Sequence, residues 1–226
     1  MSYDRTLASV ETYFDKTATR TWERLTSDVP VSKIRQTVRA GRDAMRAQML
    51  SRLPRDLTGM RVLDAGCGAG QMTVELATRG AEVVAIDISP ALIDIARDRL
   101  PRHLCDQAAF HTGDMLDGKL GTFDHVLAMD SLIYYAQPDI AAALIQLGSR
   151  TNGKIVFTVA PRTRLLMAMW YAGKLFPRSD RSPTMVPHAP GALAVGYAAS
   201  GGPGALYRLD RVSSGFYISQ AMEWHR

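Results

Sequence analysis

The chain has 226 residues, of which 46% are hydrophobic and 22% charged, and its formal net charge is +5. This composition excludes a disordered chain, and two cysteines are too few for a disulfide framework. No apolar run reaches the roughly 20 residues that span a bilayer, and the first ten residues lack the pattern of a signal peptide. The sequence therefore favours a cytoplasmic protein.

The positive charge is concentrated in two segments. Residues 1–56 contain 11 Lys and Arg against 7 Asp and Glu, and residues 161–190 contain 5 against 1. Such segments are either solvated helix faces or basic elements that flank one site and attract an anion. Dense Lys/Arg runs and RNA-binding signatures are missing from the sequence, which argues against a nucleic-acid partner.

The first predicted element is an amphipathic helix over residues 33–53, where apolar residues recur at steps of about four. Short apolar runs then alternate with helical stretches. Strands are predicted at 61–65, 82–87, 108–114, 125–130 and 154–160, and helices at 71–80, 90–100 and 138–150. This alternation predicts a parallel sheet that is covered by helices on both faces.

The pattern changes after residue 160. An apolar stretch at 165–176 leads into a Pro-rich basic loop, and the Gly/Ala-rich residues 189–205 give weak structural signals that predict local mobility. Residues 206–212 and 215–224 predict a closing antiparallel hairpin. The sequence thus predicts a doubly wound α/β domain behind an N-terminal helical cap, residues 1–56.

A glycine-rich turn, Gly66-x-Gly68-x-Gly70, directly follows the first predicted strand and precedes a helix. Backbone N–H groups in such a turn can approach a ligand at the carboxyl end of the strand. A dinucleotide fingerprint would need its third glycine at position 71, which is Gln71, and the turn is headed by Asp64. Both features disfavour a dinucleotide-dependent oxidoreductase or a non-catalytic nucleotide-binding protein, which remain the alternatives of a different class.

Acidic residues end the next three predicted strands as well: Asp87, Asp114 and Asp130. Each one alone could cap a helix, but four carboxylates at one edge of a sheet repel a pyrophosphate. They suit a nucleoside that carries positive charge, and Asp87 is placed to accept hydrogen bonds from ribose hydroxyls.

This arrangement resembles the S-adenosylmethionine-dependent methyltransferases over residues 58–160. The resemblance implies S-adenosyl-L-methionine as the cofactor and a mostly parallel, seven-stranded Rossmann-like sheet with an antiparallel C-terminal hairpin, in a methyltransferase domain over residues 57–226. It also implies individual roles: Asp64, Gly66 and Gly68 around the methionine part, Asp87 on the ribose, Ile88 against the adenine, Asp114 and Met115 at the adenine amino group, and Asp130 and Ser131 near the methyl group.

Methyltransferases that act on nucleic-acid amino groups carry Asn/Asp-Pro-Pro-Tyr/Phe after the fourth strand. This chain has Asp-Ser-Leu-Ile at residues 130–133, so that class is disfavoured. The five histidines are scattered without the spacing of metal ligands, and no metal site is predicted.

The flanking segments resemble the magnesium protoporphyrin IX methyltransferases of the bacteriochlorophyll branch. The residues that carry this resemblance are 13–15, 22–24, Lys33, 39–41, 130–135, 159–163, 175–179 and 215–219. It implies methyl transfer to a propionate of magnesium protoporphyrin IX, giving the monomethyl ester, with a magnesium chelatase subunit as the partner that delivers the porphyrin. Another small carboxylate or aromatic substrate stays open as an alternative.

Two positions depart from that family. Residues 189–205 consist of small residues where the family carries a helix, which puts the helix in doubt. Tyr134 stands where the chlorophyll-branch relatives have histidine, so an imidazole base is not carried over. A propionate has a pKa of about 4.3 and is already ionised at neutral pH, so Tyr13 and Tyr134 are assigned positioning roles, with a packed aromatic as the alternative for Tyr134.

The porphyrin is expected to bind an insertion at about 161–205, with Arg162, Trp170 and Arg178 as contacts. The apolar part can supply a wall for the flat ring, and an arginine can bind a propionate with two hydrogen bonds. The alternatives are a core helix that covers the sheet, or peripheral contact with a membrane surface.

Overall fold

The computed structural model describes residues 3–15, 33–163, 167 and 184–226. The α-helices in these residues are α1 (Tyr3–Tyr13), α2 (Lys33–Leu50), α3 (Gln71–Thr78), α4 (Pro90–Arg99), α5 (Gln137–Gly148) and α6 (Pro190–Ala199). The strands are β1 (Arg61–Ala65), β2 (Glu82–Asp87), β3 (Ala108–Thr112), β4 (His125–Ala128), β5 (Ile155–Val159), β6 (Ala205–Ser214) and β7 (Tyr217–His225). Short 3₁₀ turns lie at Arg102–Gln107, Gly118–Leu120 and Leu132–Tyr134.

The described strands form one seven-stranded sheet in the order β3-β2-β1-β4-β5-β7-β6. The first five strands are parallel, whereas β7 runs antiparallel to both β5 and β6. The predicted Rossmann-like sheet with a C-terminal hairpin is therefore confirmed. Because the chain order reverses between β1 and β4, a crevice opens at the carboxyl ends of these two strands, where such folds bind ligands.

Both faces of the sheet are covered, which explains why its central strands are continuous apolar runs. In β5, Ile155 and Phe157 face one core cluster and Val156 faces the other. The first cluster includes Leu144 of α5, and the second includes Met45 of α2. Helix α2 is thus packed into the core of the domain.

The doubt about a helix in residues 189–205 was wrong, because residues 190–199 form α6. Pro190 occupies the first turn, where its missing N–H costs nothing. Leu193 and Tyr197 are fully buried. The Tyr197 hydroxyl donates to the carbonyl of Pro203, and Nε1 of Trp224 donates to the Tyr197 hydroxyl, both at 2.7 Å. Tertiary packing therefore fixes a helix that the local sequence only weakly favours.

Two predicted strands end two residues earlier than expected, and in both cases the backbone conformation gives the reason. The strand predicted at 125–130 stops at Ala128, and Asp130 has a φ of 57°. The strand predicted at 108–114 stops at Thr112, and Gly113 has a φ of 149°. The predicted apolar stretch at 165–176 lies outside the described residues apart from Met167.

Candidate active site

A cavity lies at the carboxyl ends of the parallel strands, with about 970 Å³ of empty space when its open mouth is included. Nine of the residues selected from the sequence line it: Asp64, Gly66, Gly68, Asp87, Ile88, Met115, Asp130, Ser131 and Tyr134. The structure therefore brings most of the predicted site together.

The glycine turn forms the floor of this cavity. The N–H groups of Gly66 and Cys67 donate to the carbonyl of Ile86, at 2.8 and 3.0 Å, which fixes the turn against β2. Gly66 has a φ of 78°, and a Cβ there would lie 2.5 Å from Cβ of Ser131. Gly68 has a φ of 54°, and a Cβ there would meet no atom within 4 Å. The backbone at Gly68 is therefore open to a ligand, whereas Gly66 allows Ser131 to approach closely.

Asp87 is held by the backbone on both sides. Its Oδ2 accepts from the N–H of Gly68 at 2.9 Å, and its Oδ1 accepts from the N–H of Ser89 at 3.0 Å. Burial raises the pKa of Asp87, and these two hydrogen bonds oppose that shift. The carboxylate is thus fixed between the glycine turn and the start of α4.

Asp64 is a second buried carboxyl group, with 2% of its surface exposed. Burial raises its pKa to about 7, the hydrogen bond from Oγ1 of Thr73 at 2.6 Å lowers it, and the charge of Asp87 raises it. Two buried acids with raised pKa values in one cavity favour a ligand with a cationic group, because a nearby positive charge stabilises their ionised forms.

Asp130 joins four parts of the chain at the end of β4. Its Oδ2 accepts from Nη1 of Arg42 at 2.5 Å, and its Oδ1 accepts from the Tyr217 hydroxyl at 3.1 Å. Oγ of Ser219 donates to the same Oδ1 at 3.4 Å, and Thr158 Oγ1 both donates to Oδ1 and accepts from the Asp130 N–H. This network holds a non-glycine residue at positive φ, a conformation that L-residues adopt rarely.

The two tyrosines with predicted positioning roles differ in whether they face the cavity. Tyr134 lines the cavity, and burial followed by the charge of Asp130 raises its pKa, so its phenol stays protonated near neutral pH. Tyr13 is not among the lining residues; its ring packs edge-on against Phe14 at 5.3 Å, and Phe14 packs against Tyr134 at 6.4 Å. In this structure Phe14, not Tyr13, faces the cavity.

Asp114 and Arg162 are also outside the lining. Oδ1 of Asp114 accepts from the Tyr3 hydroxyl at 2.7 Å and from the N–H of Leu116 at 2.9 Å, while its neighbours Gly113 and Met115 line the cavity. Arg162 is exposed, and its N–H donates to the carbonyl of His188 at 2.8 Å. Trp170 and Arg178 lie outside the described residues.

The N-terminal helices contribute lining residues that the sequence reasoning missed. They are Leu7, Val10 and Phe14 around α1, and Arg42 and Arg46 of α2. The sequence does contain a signal for the lining residues of the first helix. Leu7, Val10 and Phe14 are spaced by three and four residues, as on one helix face. Oγ of Ser89 donates to Oδ1 of Asp15 at 2.6 Å, which ties the end of this segment to α4.

These features fit the nucleoside cofactor that the sequence resemblance implies. The backbone at Gly68 leaves room for a ligand, the fixed carboxylate of Asp87 can accept hydrogen bonds from it, and Ile88 and Met115 provide apolar contact for a flat ring. Asp64 can hold a cationic group.

Two family models match the chain. Residues 128–226 match the family described as "Magnesium-protoporphyrin IX methyltransferase C-terminus", and residues 62–151 match a methyltransferase domain. Together they cover both the glycine turn and the C-terminal hairpin.

Among curated proteins, the magnesium-protoporphyrin O-methyltransferase of Rhodobacter capsulatus is 63% identical over 95% of this chain and 94% of its own length. The ubiquinone biosynthesis O-methyltransferase of Methylocella silvestris is 46% identical, but over only 35% of this chain and 31% of its own length. Among solved structures, magnesium protoporphyrin IX methyltransferase from Synechocystis PCC 6803 with bound SAH matches with a TM-score of 0.79 and 28% identity, covering 96% of this chain and 98% of that one. The likeness to the two magnesium-protoporphyrin enzymes extends over nearly the whole chain.

Proposed function

The chain belongs to the magnesium protoporphyrin IX methyltransferase family, and we propose that it transfers the methyl group of S-adenosylmethionine to a propionate carboxylate of magnesium protoporphyrin IX, giving the monomethyl ester for bacteriochlorophyll biosynthesis. The observation that carries this proposal is the 63% identity to the Rhodobacter capsulatus enzyme over almost the full length of both chains. The cavity adds a site lined by carboxylates at the edge of the sheet where this fold binds its ligands.

The roles proposed for the site residues are those that the family resemblance implies. Asp64 would hold the ammonium group of the methionine part beside Gly66 and Gly68, and Asp87 would accept from the ribose hydroxyls. Ile88 and Met115 would contact the adenine. Asp114 would act at the adenine amino group through a carboxylate that Tyr3 already orients.

S-adenosylmethionine supplies an electrophilic methyl group on a sulfonium sulfur. The propionate is ionised at neutral pH, with a pKa of about 4.3, so the protein does not need a general base. Its contribution is to align the carboxylate with the methyl group and to exclude the water that solvates the nucleophile. Tyr134, whose phenol stays protonated, would position the substrate, and Tyr13 would act by supporting Phe14.

The turnover of magnesium protoporphyrin IX tests the proposal directly. The purified chain, S-adenosylmethionine and magnesium protoporphyrin IX should yield the monomethyl ester and S-adenosylhomocysteine. Ubiquinone precursors serve as a comparison, because the alternative function is methylation of another small carboxylate or aromatic ring. Turnover of a ubiquinone precursor but not of the porphyrin would replace the proposal with that alternative.

The insertion at about 161–205 would form the porphyrin site, with Arg162 and Arg178 at its basic rim and Trp170 in its apolar wall. Arg178→Glu should raise the KM for the porphyrin while the affinity for S-adenosylhomocysteine stays unchanged, because the two ligands use different elements. A matched control is Arg97→Glu, at an exposed position on α4. Loss of both affinities, or of neither, in Arg178→Glu would remove this segment from the porphyrin site.

Delivery of the porphyrin by a magnesium chelatase subunit and peripheral contact with a membrane are further parts of the proposal. The described residues contain no helix that is both long and apolar enough to cross a membrane. Co-sedimentation of the chain with vesicles and with chelatase subunits, in the presence and absence of porphyrin, measures both contacts.

A further inference from the structure

Helix α2 carries a row of arginines. Arg35, Arg39, Arg42 and Arg46 are spaced by four, three and four residues, which places them on one face of a helix. All four are partly buried. The two nearest the C-terminal end, Arg42 and Arg46, line the cavity. One end of this row of arginines therefore lies at the active site.

The two lining arginines lie near different parts of the cavity. The positive charge of Arg46 lowers the pKa of Asp64, so Arg46 lies on the side of the glycine turn. Nη1 of Arg42 donates to Oδ2 of Asp130, so Arg42 lies beside the end of β4. Ser131 and Tyr134 line the cavity on this second side.

The position of the Arg42 side chain is fixed by its partner. Asp130 is itself bound by Tyr217, Ser219 and Thr158, so it cannot turn away from the cavity without breaking several hydrogen bonds. A guanidinium carries five N–H groups in a planar fork, so one arginine can bind two carboxylates at the same time.

Ser131 provides an independent sign of a ligand on the same side. Its Oγ is buried and, among the described residues, has no hydrogen-bond partner. A buried hydroxyl without a partner is costly in a protein interior, whereas a polar ligand atom would satisfy it. Ser131 also lies directly against Gly66, as the 2.5 Å approach of a Cβ built there shows.

We propose that Arg42 and Ser131 bind the propionate carboxylate that accepts the methyl group; this assignment rests on the proposed function. Arg42 and Ser131 hold one carboxylate oxygen through N–H and O–H donors, and the other oxygen attacks. That oxygen forms a bond to the methyl carbon while the sulfur–methyl bond breaks, and the electron pair of the broken bond stays on sulfur. The negative and positive charges cancel, and no proton moves.

The assignment also explains how the product would leave. The ester carries no charge at the reacting position, so Arg42 binds it less tightly than it binds the carboxylate. Esterification therefore weakens the contact that positioned the substrate. The second propionate keeps its charge and would stay bound elsewhere.

Three porphyrins separate these contacts: magnesium protoporphyrin IX, its monomethyl ester and its dimethyl ester. Their affinities are measured by porphyrin fluorescence with S-adenosylhomocysteine at saturation. In the unchanged protein we expect affinity to fall at each esterification, by about tenfold or more at the first, which is the effect of losing one charge-assisted hydrogen-bonded pair. We call the fall in affinity at the first esterification the first step and the fall at the second esterification the second step. In Arg42→Gln the first step should shrink to less than about threefold, while the second step remains.

Companion variants make the result independent of folding. Arg42→Lys keeps the charge but not the fork and should retain part of the first step, and Ser131→Ala should reduce it as well. Arg39→Gln, on the same face but outside the cavity lining, should keep both steps. Since each step is a ratio within one variant, a change in the fraction of folded protein does not alter it.

The outcomes that overturn the assignment are equally specific. If Arg42→Gln keeps the first step, or loses only the second, Arg42 does not bind the reacting carboxylate. If it loses affinity for S-adenosylhomocysteine while both steps persist, Arg42 belongs to the cofactor site. An unchanged protein that does not methylate magnesium protoporphyrin IX overturns the proposed function itself, and this is measured before any variant.

Discussion

The phenol of Tyr3 donates a 2.7 Å hydrogen bond to Oδ1 of Asp114, across a sequence separation of 111 residues. The Tyr3 ring also stacks on Tyr135, with 4.8 Å between centroids. These contacts fasten the first helix to the segments that follow β3 and β4. Helix α1 therefore closes one wall of the cavity, and Tyr3 attaches this end of the helix to the rest of the domain.

Replacement of Tyr3 by phenylalanine should loosen α1 without unfolding the protein. The ring contact with Tyr135 is kept, but the hydrogen bond to Asp114 is lost, which is worth about 1 kcal/mol. Amide hydrogen exchange in residues 3–15 should accelerate by about fivefold or more. Tyr207→Phe, at a half-exposed position on β6, is the control and should leave this exchange unchanged. Equal exchange in both variants would show that the bond does not hold the helix.

Substitution of Gly41 by alanine should destabilise the protein, because the new Cβ would lie 2.6 Å from Cδ1 of Tyr217. Overpacking of this kind costs about 1–3 kcal/mol, and a displaced Tyr217 would also lose its bond to Asp130. Gly191→Ala is the matched control, since this residue is also helical and a Cβ there would meet nothing within 4 Å. It should be neutral or stabilising by up to about 1 kcal/mol. Urea unfolding of both variants measures the difference, and equal midpoints would contradict it.

The sheet and the part of the site formed by Asp64 and Asp87 were predictable, because the local pattern of apolar residues determines the strands. The strands predicted at 61–65 and 82–87 agree with β1 and β2 in both bounds. Once strands and helices alternate, parallel pairing brings the strand ends to one edge, and Asp64 and Asp87 come together without further information.

Contacts between distant segments were not predictable in the same way. The bond between Arg42 and Asp130 joins residues 88 positions apart and depends on how α2 packs beside β7. Helix α6 escaped prediction because small residues carry little periodic signal, and its stability comes from Tyr197 against Trp224. The spacing of the α2 arginines was visible in the sequence, but only the fold shows which face meets the cavity.

Asp87→Ala should weaken the binding of S-adenosylhomocysteine by about tenfold or more. The variant removes a charge-assisted acceptor for the ribose, worth roughly 1.5–3 kcal/mol, and frees the N–H groups of Gly68 and Ser89 that the carboxylate orients. Isothermal titration calorimetry measures the affinity. Glu82→Ala, at the exposed start of the same strand, is the control. Unchanged affinity in a folded Asp87→Ala protein would remove Asp87 from the cofactor site.

The raised pKa of Asp64 predicts a pH dependence with a definite sign. Burial raises this pKa from 3.8 to about 7, so between these values the native protein keeps a proton that the unfolded chain has lost. The unfolding free energy of the ligand-free protein should therefore fall as the pH rises through this window.

A ligand ammonium group favours the ionised carboxylate of Asp64, so binding of S-adenosylhomocysteine at about pH 6 should release a proton and should tighten as the pH rises towards about 8. Calorimetry in two buffers of different ionisation enthalpy measures the released proton. Asp64→Asn cannot release it, so its affinity should be weaker and should depend less on pH; a proton release equal to that of the unchanged protein would assign the titration to another group.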